Sequence, residues 1–292
     1  MSKDAEESLA YGGQALIEGV MMRSGDTMVM CVRQPDQGIA TYSQQVNSVT
    51  KRNKILGLPF IRGISMLFET MYYGVKAMMH SANVVLEEDD EEFTLFDYAL
   101  LVIMLLVMNG LFIAIPFILT NYLGLTGLLF NVVESIIRLG LFMGYLYVIS
   151  LWGEVARVLQ YHGAEHKAIN AYEAGSSMET ADVAKYSRLN PRCGTSFLFL
   201  TVLTSIALFA LIPQSSTYVV RLGSRLALIP VIASVSYELL KLSDKYRDSP
   251  LTQLIIAPGL WFQKLTTKEP SEDMIEVAVK ALKEVKNIRE AI

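Results

Sequence analysis

The chain of 292 residues is 52% hydrophobic and 18% charged, with a net charge of −4 and a mean hydropathy of +0.36. This composition is more apolar than a soluble domain needs, and it favours a membrane protein. The negative charge, without a basic stripe among aromatic residues, excludes nucleic acid recognised by direct readout as a partner. Two cysteines, Cys31 and Cys193, are too few for a disulfide framework and fit a reducing compartment.

The N-terminal region, residues 1–58, is expected to lie outside the membrane and to contain a small β unit. Its first residues are polar and acidic, and they lack the apolar core of a cleaved signal peptide. Residues 27–46 predict two short strands around the turn "QPDQG", because Pro and Gly on either side of an Asp are typical of turns.

Residues 59–92 predict an amphipathic helix followed by an acidic linker. The helix is apolar except for a stripe of polar residues spaced seven apart, namely Arg62, Glu69, Lys76 and Asn83. A narrow polar stripe suits a helix at the membrane interface or in a groove between spans. The alternative is a fifth span, which would have to bury three charges. The run "EEDDEE" is interpreted as a solvated linker.

Residues 93–250 predict about four transmembrane helices. The clearest is residues 98–120, which carry no charge and are long enough, at about 1.5 Å per residue, to cross about 30 Å of hydrocarbon. A second, roughly 128–151, follows a short turn, so the two are expected to form an antiparallel hairpin. The third covers residues 195–212.

The fourth predicted span, from about Tyr218 to Leu240, has the weakest apolar pattern. Arg221 and Arg225 interrupt its start, and Pro230 lies in its middle. Arginines near a helix end can extend their charge to the interface, and proline is tolerated in membrane helices, so we keep the interpretation as a span.

An even number of spans would place the N-terminal region, segment 152–194 and the C-terminal segment 251–292 on one side of the membrane. Most basic residues outside the spans fall on that side, which the positive-inside bias assigns to the cytoplasm. The sequence therefore predicts a multi-pass membrane protein with both termini cytoplasmic and the lipid bilayer as its partner.

The C-terminal segment predicts two different elements. Residues 251–264 are apolar but interrupted by "PGLW", and we expect them at the membrane surface or against the bundle. An acidic first turn then precedes apolar residues at helical spacing, which indicates a final amphipathic helix. These apolar residues are Ile275, Ala278, Leu282 and Val285.

The motif "YHGAEHKAIN" in segment 152–194 contains the main candidate site. On a helix, His162 and His166 lie four residues apart on one face and can bind the same metal ion. The spacing also matches the H-x-x-E-H pattern of inverted zincins, in which the glutamate, here Glu165, is the general base. Glu154 and Asn170 share the stripe of the histidines. The simpler alternative is a histidine pair on a solvated helix.

A catalytic zinc needs three protein ligands and an open position, so another residue must join the histidines. The candidates in order of preference are Glu238, Glu173 and Cys193. Glu238 follows His166 by 72 residues, a separation typical of the glutamate ligand in inverted zincins. The predicted cofactor is a divalent metal ion, with zinc the favoured identity.

Further polar residues are candidates to orient the ligands or bind substrate. Glu18 is either a carboxylate that orients a ligand or the partner of Arg23 in a salt bridge. Arg157 and Arg192 are candidates to bind an anionic substrate or lipid headgroup, although basic residues at an interface commonly serve only as topology anchors.

Five ordered motifs resemble the YqhQ family of bacterial membrane proteins, and they extend from about Gly12 to Ala281. They are "GGQALIEGVMMRS", "QYHGAEHKAINAYE", "SRLNPRCGTSFL", "SYELLKL" and "APGLWFQKLTTKEP". The family is described as uncharacterised, with a proposed metal-dependent enzyme activity. The resemblance implies the bacterial inner membrane and a metal site, without a reaction. The motif residues are Glu18, Arg23, His162, Glu165, His166, Glu173, Arg192, Cys193 and Glu238.

Three hypotheses for the function follow. The first is a metal-dependent hydrolase, for example a peptidase, at the cytoplasmic membrane face. The second is a non-catalytic membrane factor for protein insertion, membrane-associated translation or complex assembly, with a membrane protein or nascent chain as its partner. Its motivation is a group of methionines, Met66, Met71, Met78 and Met79. The third is a small transporter that uses the i,i+4 pair Glu134 and Arg138.

Overall fold

A computed structural model shows a mainly helical protein with one small β-sheet. It describes residues 11–46, 48, 53, 55–87, 94–191, 193–212, 217–246 and 249–291. The predicted acidic linker lies almost entirely outside the described residues.

The predicted β unit is a four-stranded antiparallel meander in the order β1-β2-β3-β4. Its strands are β1 (Tyr11–Leu16), β2 (Gly19–Ser24), β3 (Thr27–Arg33) and β4 (Ile39–Gln45). The sequence predicted β3 and β4 but not β1 and β2. The side chains of β2 are buried on both faces of the sheet, so its sequence lacks the apolar and polar alternation of a half-exposed strand.

Ten helices follow the sheet within the described part of the chain. In chain order they are α1 (Ile61–Leu86), α2 (Leu95–Tyr122), α3 (Gly127–Ile149), α4 (Gly153–Glu173), α5 (Thr180–Val183), α6 (Thr195–Phe209), α7 (Tyr218–Ala227), α8 (Ile229–Lys245), α9 (Pro250–Thr266) and α10 (Glu272–Glu290).

Helices cover both faces of the sheet. On one face, Val20 and Met22 of β2 pack with Tyr161 of α4 and Leu282 of α10. On the other face, Met21 belongs to a second apolar cluster that includes residues of α1. Each fully buried side chain of this size contributes about 1.5–3 kcal/mol to the free energy of folding. We call the sheet with α4, α5 and α10 the polar domain.

Helix α1 joins the polar domain to the apolar helices. Its C-terminal half contributes Ala77 to the core under the sheet, and near its start Gly63 lies against Ser234 and Tyr237 of α8. An interfacial position therefore does not describe the whole helix, because the sheet covers its second half. Nor is α1 among the described helices that are long and apolar enough to cross a membrane.

Two helices have the length and composition of membrane spans, at residues 99–122 and 127–149, and they form the predicted hairpin of α2 and α3. Helices α7 and α8, bent by 42°, make a third candidate span if they are taken together. Helix α6 has only 15 residues, so the predicted span 195–212, and with it the count of four spans, is not confirmed. We call α2, α3 and α6–α9 the bundle.

Pro230 explains why the predicted span 218–240 is bent. Proline has no backbone N–H and fits the first turn of a helix, so α8 begins there while α7 ends at Ala227. Arg225 was expected to extend its charge to the interface, but it does not. Its side chain is buried at 1% exposure, where it pairs with Glu134.

Helix α3 ends before the central motif, because residues 150–152 separate it from α4. Lys268 Nζ bonds the Ser150 carbonyl at this break, at 2.6 Å. In contrast, "PGLW" does not interrupt α9, which continues through Pro258 and packs on the bundle, where Phe262 stacks on Phe142.

The final helix α10 is confirmed, and it buries the predicted apolar stripe against the sheet. Because the sheet, α4 and α10 share one core, the N-terminal region, the central segment and the C-terminal helix must lie on the same side of any membrane. Their assignment to the cytoplasmic side remains a prediction from the charge distribution.

Candidate metal centre

Three side chains come together where α4 meets the start of α6: His162, His166 and Cys193. One potential ligand atom from each lies within 4.8 Å of the other two. The two rings are one helical turn apart on α4, with centroids separated by 4.4 Å, and His162 Nε2 lies 3.2 Å from Cys193 Sγ. We call these three residues the His–Cys centre.

Backbone carbonyls orient both imidazole rings. His162 Nδ1 bonds the Thr266 carbonyl at 2.8 Å, and His166 Nδ1 bonds the Arg188 carbonyl at 2.7 Å. A carbonyl oxygen only accepts, so each Nδ1 must carry the proton, and in the neutral ring Nε2 then has a free lone pair. His166 Nε2 is buried without a hydrogen-bond partner among the described residues. Both rings are therefore in the tautomer that binds a metal through Nε2.

The sulfur of Cys193 lies at the N-terminus of α6. It accepts hydrogen bonds from the Thr195 amide at 3.4 Å and from the Thr195 hydroxyl at 3.2 Å. Cysteine binds metals through its sulfur, and this sulfur lies beside His162 Nε2. The local structure at Cys193 thus suits a ligand as well as a packing residue.

The donor set fits zinc. Imidazole nitrogen and thiolate sulfur are zinc's common ligands, at about 2.0–2.3 Å, so neighbouring ligand atoms around a tetrahedral ion lie about 3.5 Å apart. The observed 3.2 Å between His162 Nε2 and Cys193 Sγ is close to that spacing. The widest separation in the centre, at most 4.8 Å, would have to shorten by about 1 Å around an ion.

Polar residues of α4 hold the loop that leads to Cys193. Lys167 Nζ donates to the carbonyls of Ala184 and Tyr186, at 2.8 and 2.9 Å. Asn170 Nδ2 donates to the two carbonyls on either side of Arg188, at 2.7 and 3.0 Å. Together with the histidine bond to the Arg188 carbonyl, these contacts fix the loop on α4. Asn170 therefore acts on the loop and not on the centre itself.

The end of α9 closes the centre from a third direction. The Gln263 side chain makes two hydrogen bonds with the backbone of Asn190, at 2.9 and 2.8 Å. The Lys268 amide donates to the Leu159 carbonyl at 2.8 Å, which brings residues 266–268 against α4. A Cβ at Gly163 would lie 2.1 Å from the Lys268 carbonyl oxygen, so only glycine fits at this crossing.

Glu165 is buried between α4 and β1, at 4% exposure. A Cβ at Gly13 would lie 2.9 Å from its carboxyl carbon, so this strand glycine makes room for the side chain. Burial raises the pKa of Glu165 to about 7, against the opposing effects of His162 and of the Gly13 amide. One carboxyl oxygen, Oε2, has no hydrogen-bond partner among the described residues.

Of the three candidate third ligands, the structure brings the one ranked last to the histidines. Glu238 instead accepts two hydrogen bonds from Arg62, at 2.8 and 2.5 Å, at the contact of α8 with α1. Glu173 is exposed at the end of α4, two turns beyond His166. The separation of 72 residues between His166 and Glu238 does not bring Glu238 to the histidines. Glu238 belongs to α8, which packs on α1 and α6, whereas Cys193 lies just before the start of α6.

Glu18 and Arg157, predicted separately, form one ion pair. Glu18 occupies the two-residue turn between β1 and β2 with a positive φ of 49°, where it accepts bonds from Arg157 and from the Tyr161 hydroxyl. Arg23 does not pair with Glu18 but with Glu69 of α1, at 2.8 Å. Both pairs connect the sheet to a helix.

The remaining candidates lie elsewhere. Glu154 is exposed in the first turn of α4, and Arg192 lies outside the described residues.

The sequence analysis missed the residues that position the centre through contacts with the backbone. Every residue has a backbone carbonyl, so the sequence does not show which carbonyls make such contacts. A usable signal was the pair Lys167 and Asn170, which are three residues apart and therefore lie on one side of α4, next to His166. The missed positioning residues are Lys167, Arg188, Asn190, Gln263 and Thr266.

The fold and the centre together define a class: a mainly helical protein with two to three candidate membrane spans and a polar domain that carries a His–His–Cys group at the junction with the bundle. Comparison with known proteins gives the family. Residues 58–288 match the family described as "Protein of unknown function (DUF1385)", and the chain belongs to it. It is also 34% identical to the uncharacterized protein YqhQ of Bacillus subtilis (strain 168) over 293 residues, which cover 94% of this chain and 92% of the relative.

The comparisons confirm the resemblance drawn from the five motifs, and they add no reaction. The matched family region begins after the sheet, whereas the alignment with YqhQ covers most of the chain. No solved structure matches this protein.

Proposed function

We propose that the protein is a metal-dependent hydrolase at a membrane surface, with His162, His166 and Cys193 as the ligands of a zinc ion. The observation that carries the proposal is the orientation of the two imidazoles. Each Nδ1 is engaged by a carbonyl, so that both Nε2 lone pairs are directed away from those carbonyls and one of them is buried without a partner. Leaving such a buried acceptor unsatisfied is costly, and a metal ion would satisfy it.

Three protein ligands leave one position open, which is the arrangement of catalytic zinc sites and not of structural ones. When bound, zinc acts as a Lewis acid towards a substrate oxygen. The protein's own contribution is to fix the ligands through the loop carbonyls and the end of α9, and to limit access of bulk water to His166, which is 1% exposed.

Glu165 is the proposed general base. It lies on the same helix as both histidines, directly before His166, and its Oε2 has no partner among the described residues. In this role the carboxylate takes a proton from the attacking water and returns it to the leaving group. Its burial against Gly13 restricts the side chain to few conformations, as a positioned base requires.

Metal content tests the ligand set. The detergent-purified protein is compared with the double variant His162→Ala/His166→Ala, with Cys193→Ser and with Glu238→Gln. We expect near-stoichiometric zinc in the wild type, none in the histidine variant and a large loss in Cys193→Ser. Glu238→Gln is the matched control, because Glu238 bonds Arg62, and it should keep the metal. Zinc lost in Glu238→Gln but kept in Cys193→Ser would reject the ligand set, and no metal in any variant would reject the site.

Activity tests the base. Glu165→Gln should keep zinc but lose hydrolysis of peptide, ester or phosphoester substrates by about 10²–10⁴-fold, the usual contribution of general base catalysis. A variant that binds zinc and turns over at the wild-type rate would remove Glu165 from the mechanism.

An exposed apolar surface on α1 favours a second candidate function, the non-catalytic membrane factor. Phe68 is 68% exposed, Tyr72 one turn later is also exposed, and so is Phe60 directly before the helix. Such a patch fits an apolar client or a partner helix. In that case Glu165→Gln would leave the cellular function intact, whereas Phe68→Ser would reduce photo-crosslinking to nascent membrane proteins.

A further inference from the structure

A second group of buried charges lies at the end of α6 opposite to the His–Cys centre. Glu134 of α3 bonds Arg138 at 2.5 Å and Arg225 of α7 at 2.8 Å. The exposed fractions of these residues are 0% for Glu134, 8% for Arg138 and 1% for Arg225. Two guanidinium groups therefore share one carboxylate inside the bundle.

The remaining surroundings of the two arginines are neutral. Arg225 lies against the rings of Phe117, Phe130 and Phe209, with distances of 4.6, 5.5 and 5.0 Å to the centroids. Arg138 lies 4.9 Å from the Phe209 centroid. Aromatic faces attract cations, but they do not carry the negative charge that a second guanidinium requires.

A third arginine lies one turn before Arg225 and adds to the imbalance. The Arg221 guanidinium covers the rings of Phe130 and Phe117, at 4.5 and 5.3 Å, and is half-buried. Among the described residues no carboxylate bonds to it. In addition, Arg138 Nε is buried without a hydrogen-bond partner among the described residues. We call Arg138, Arg221 and Arg225 the arginine cluster, and it has three positive charges against the single negative charge of Glu134.

The position of the cluster suits a phosphate group. Phe117 and Phe130 flank the turn between α2 and α3, and Tyr122 at that turn is 91% exposed, as an aromatic residue at a membrane interface would be. Five residues of helix separate Phe117 from Tyr122, which is about 7.5 Å. Phosphates of lipid headgroups therefore lie within reach of an arginine side chain. The planar guanidinium matches phosphate oxygens through paired hydrogen bonds.

We propose that the arginine cluster at the α2–α3 end of the bundle binds the phosphate group of an anion, with Arg221 as the accessible ligand. The source of the phosphate is either the headgroup of an anionic phospholipid or a free phosphate ion. The bound anion balances the excess charge of Arg138 and Arg225, and it joins α7 to the hairpin of α2 and α3. The proposal does not depend on metal binding at the His–Cys centre.

Ligand binding to the detergent-purified full chain tests the proposal. Phosphatidylglycerol, phosphatidylcholine and inorganic phosphate are titrated separately, with bound lipid counted by native mass spectrometry and the Tm measured in parallel. Wild type is compared with Arg221→Gln, with Arg221→Lys and with a control on the other end of the bundle, Lys264→Gln. Arg221→Gln removes no ion pair with a described residue, so it should fold, and an unchanged Tm without ligand verifies this.

We expect phosphatidylglycerol to bind to wild type and Lys264→Gln, and to bind about tenfold more weakly to Arg221→Gln, the effect of one charge-assisted hydrogen bond. Arg221→Lys should be intermediate, because it keeps the charge without the paired donors. If inorganic phosphate alone binds, and Arg221→Gln weakens that binding in the same way, the ligand of the site is a free phosphate ion. Equal binding by wild type and Arg221→Gln, equal binding of phosphatidylcholine and phosphatidylglycerol, or no binding of any probe would overturn the proposal.

Discussion

The His–Cys centre and the arginine cluster both bury polar side chains, but they satisfy them in different ways. In the first, short side chains are held by backbone carbonyls, and the acceptor His166 Nε2 has no hydrogen-bond donor among the described residues. In the second, long cationic side chains share one carboxylate and three aromatic rings, and donors remain in excess. The two sites lie at opposite ends of α6. We propose that one receives a cation and the other an anion.

This difference shows that burial alone does not indicate what a polar group does. At the His–Cys centre the contacts fix tautomers and directions, which is preparation for a ligand with strict geometry. In the arginine cluster the contacts balance charge, and geometry is left to flexible side chains. The arginine cluster is therefore best tested by variants that change its charge. The His–Cys centre is best tested by variants that disturb the close packing of its backbone.

The largest expected effect follows from the shared carboxylate. Glu134→Gln leaves two guanidinium groups buried without a counter-charge and should lower the free energy of unfolding by about 3–5 kcal/mol. Arg225→Leu should cost less, because Glu134 keeps its partner Arg138 at 2.5 Å and a neutral pair remains. The measurement is the Tm of each variant in detergent. A larger loss for Arg225→Leu than for Glu134→Gln would mean that packing of Arg225, and not charge, dominates the cluster.

A smaller effect is expected from the backbone contact that closes the His–Cys centre. Gly163→Ala places a methyl group 2.1 Å from the Lys268 carbonyl oxygen, so α4 and the end of α9 must separate. Overpacking of this kind costs about 1–3 kcal/mol, and the displaced Thr266 carbonyl should also release His162 and weaken metal binding. The matched control is Gly153→Ala on the same helix, where a Cβ has no atom within 4 Å.

Tm and zinc content check this pair together. If Gly163→Ala and Gly153→Ala both keep the Tm and the zinc content of the wild type, the close approach of residues 266–268 to α4 does not support the centre. Loss of zinc at an unchanged Tm would instead show that the contact orients His162 and contributes little to stability.

Local patterns predicted what local geometry decides. The apolar runs identified the hairpin of α2 and α3, the turn chemistry identified β3 and β4, and the spacing of four residues placed His162 and His166 on one face of α4. The final helix was also predicted, because its apolar residues recur at helical spacing and an acidic first turn marks its start. Each of these features depends on residues that are close in sequence.

Long-range contacts decided the rest. Arg225 was expected to reach the interface because nothing near it in sequence shows Glu134 across the bundle, 91 residues away. The proximity of Cys193 to the histidines was not anticipated for the same reason, since it depends on the loop that Lys167 and Asn170 hold. Strand β2 was missed because it is buried on both faces of the sheet, which removes the alternating pattern, and β1 was missed because Gly12 and Gly13 are weak strand formers.

The smallest expected effect leaves the fold unchanged and compares the two cysteines. Cys31 lies in the core of the sheet, where burial raises the pKa of its thiol, so it should react slowly with maleimide. Cys193 is half-buried, and Thr195 donates hydrogen bonds to its sulfur. We therefore expect a single fast-reacting thiol in the metal-free protein, identified by peptide mass spectrometry as Cys193, and protection of it when zinc is added.

The control is Cys31→Ala, which should show the same fast labelling and the same protection by zinc. Protection that persists in His162→Ala/His166→Ala would mean that zinc contacts the sulfur without the histidines, and the centre would then lack its proposed ligands. Magnesium, which prefers oxygen ligands, should not protect Cys193 at the same concentration. Selective protection by zinc would place the Nε2 atoms and the sulfur in one site, because a soft thiolate and two imidazoles share a preference for that ion. The end of the bundle with the arginine cluster has no such donors among its described residues.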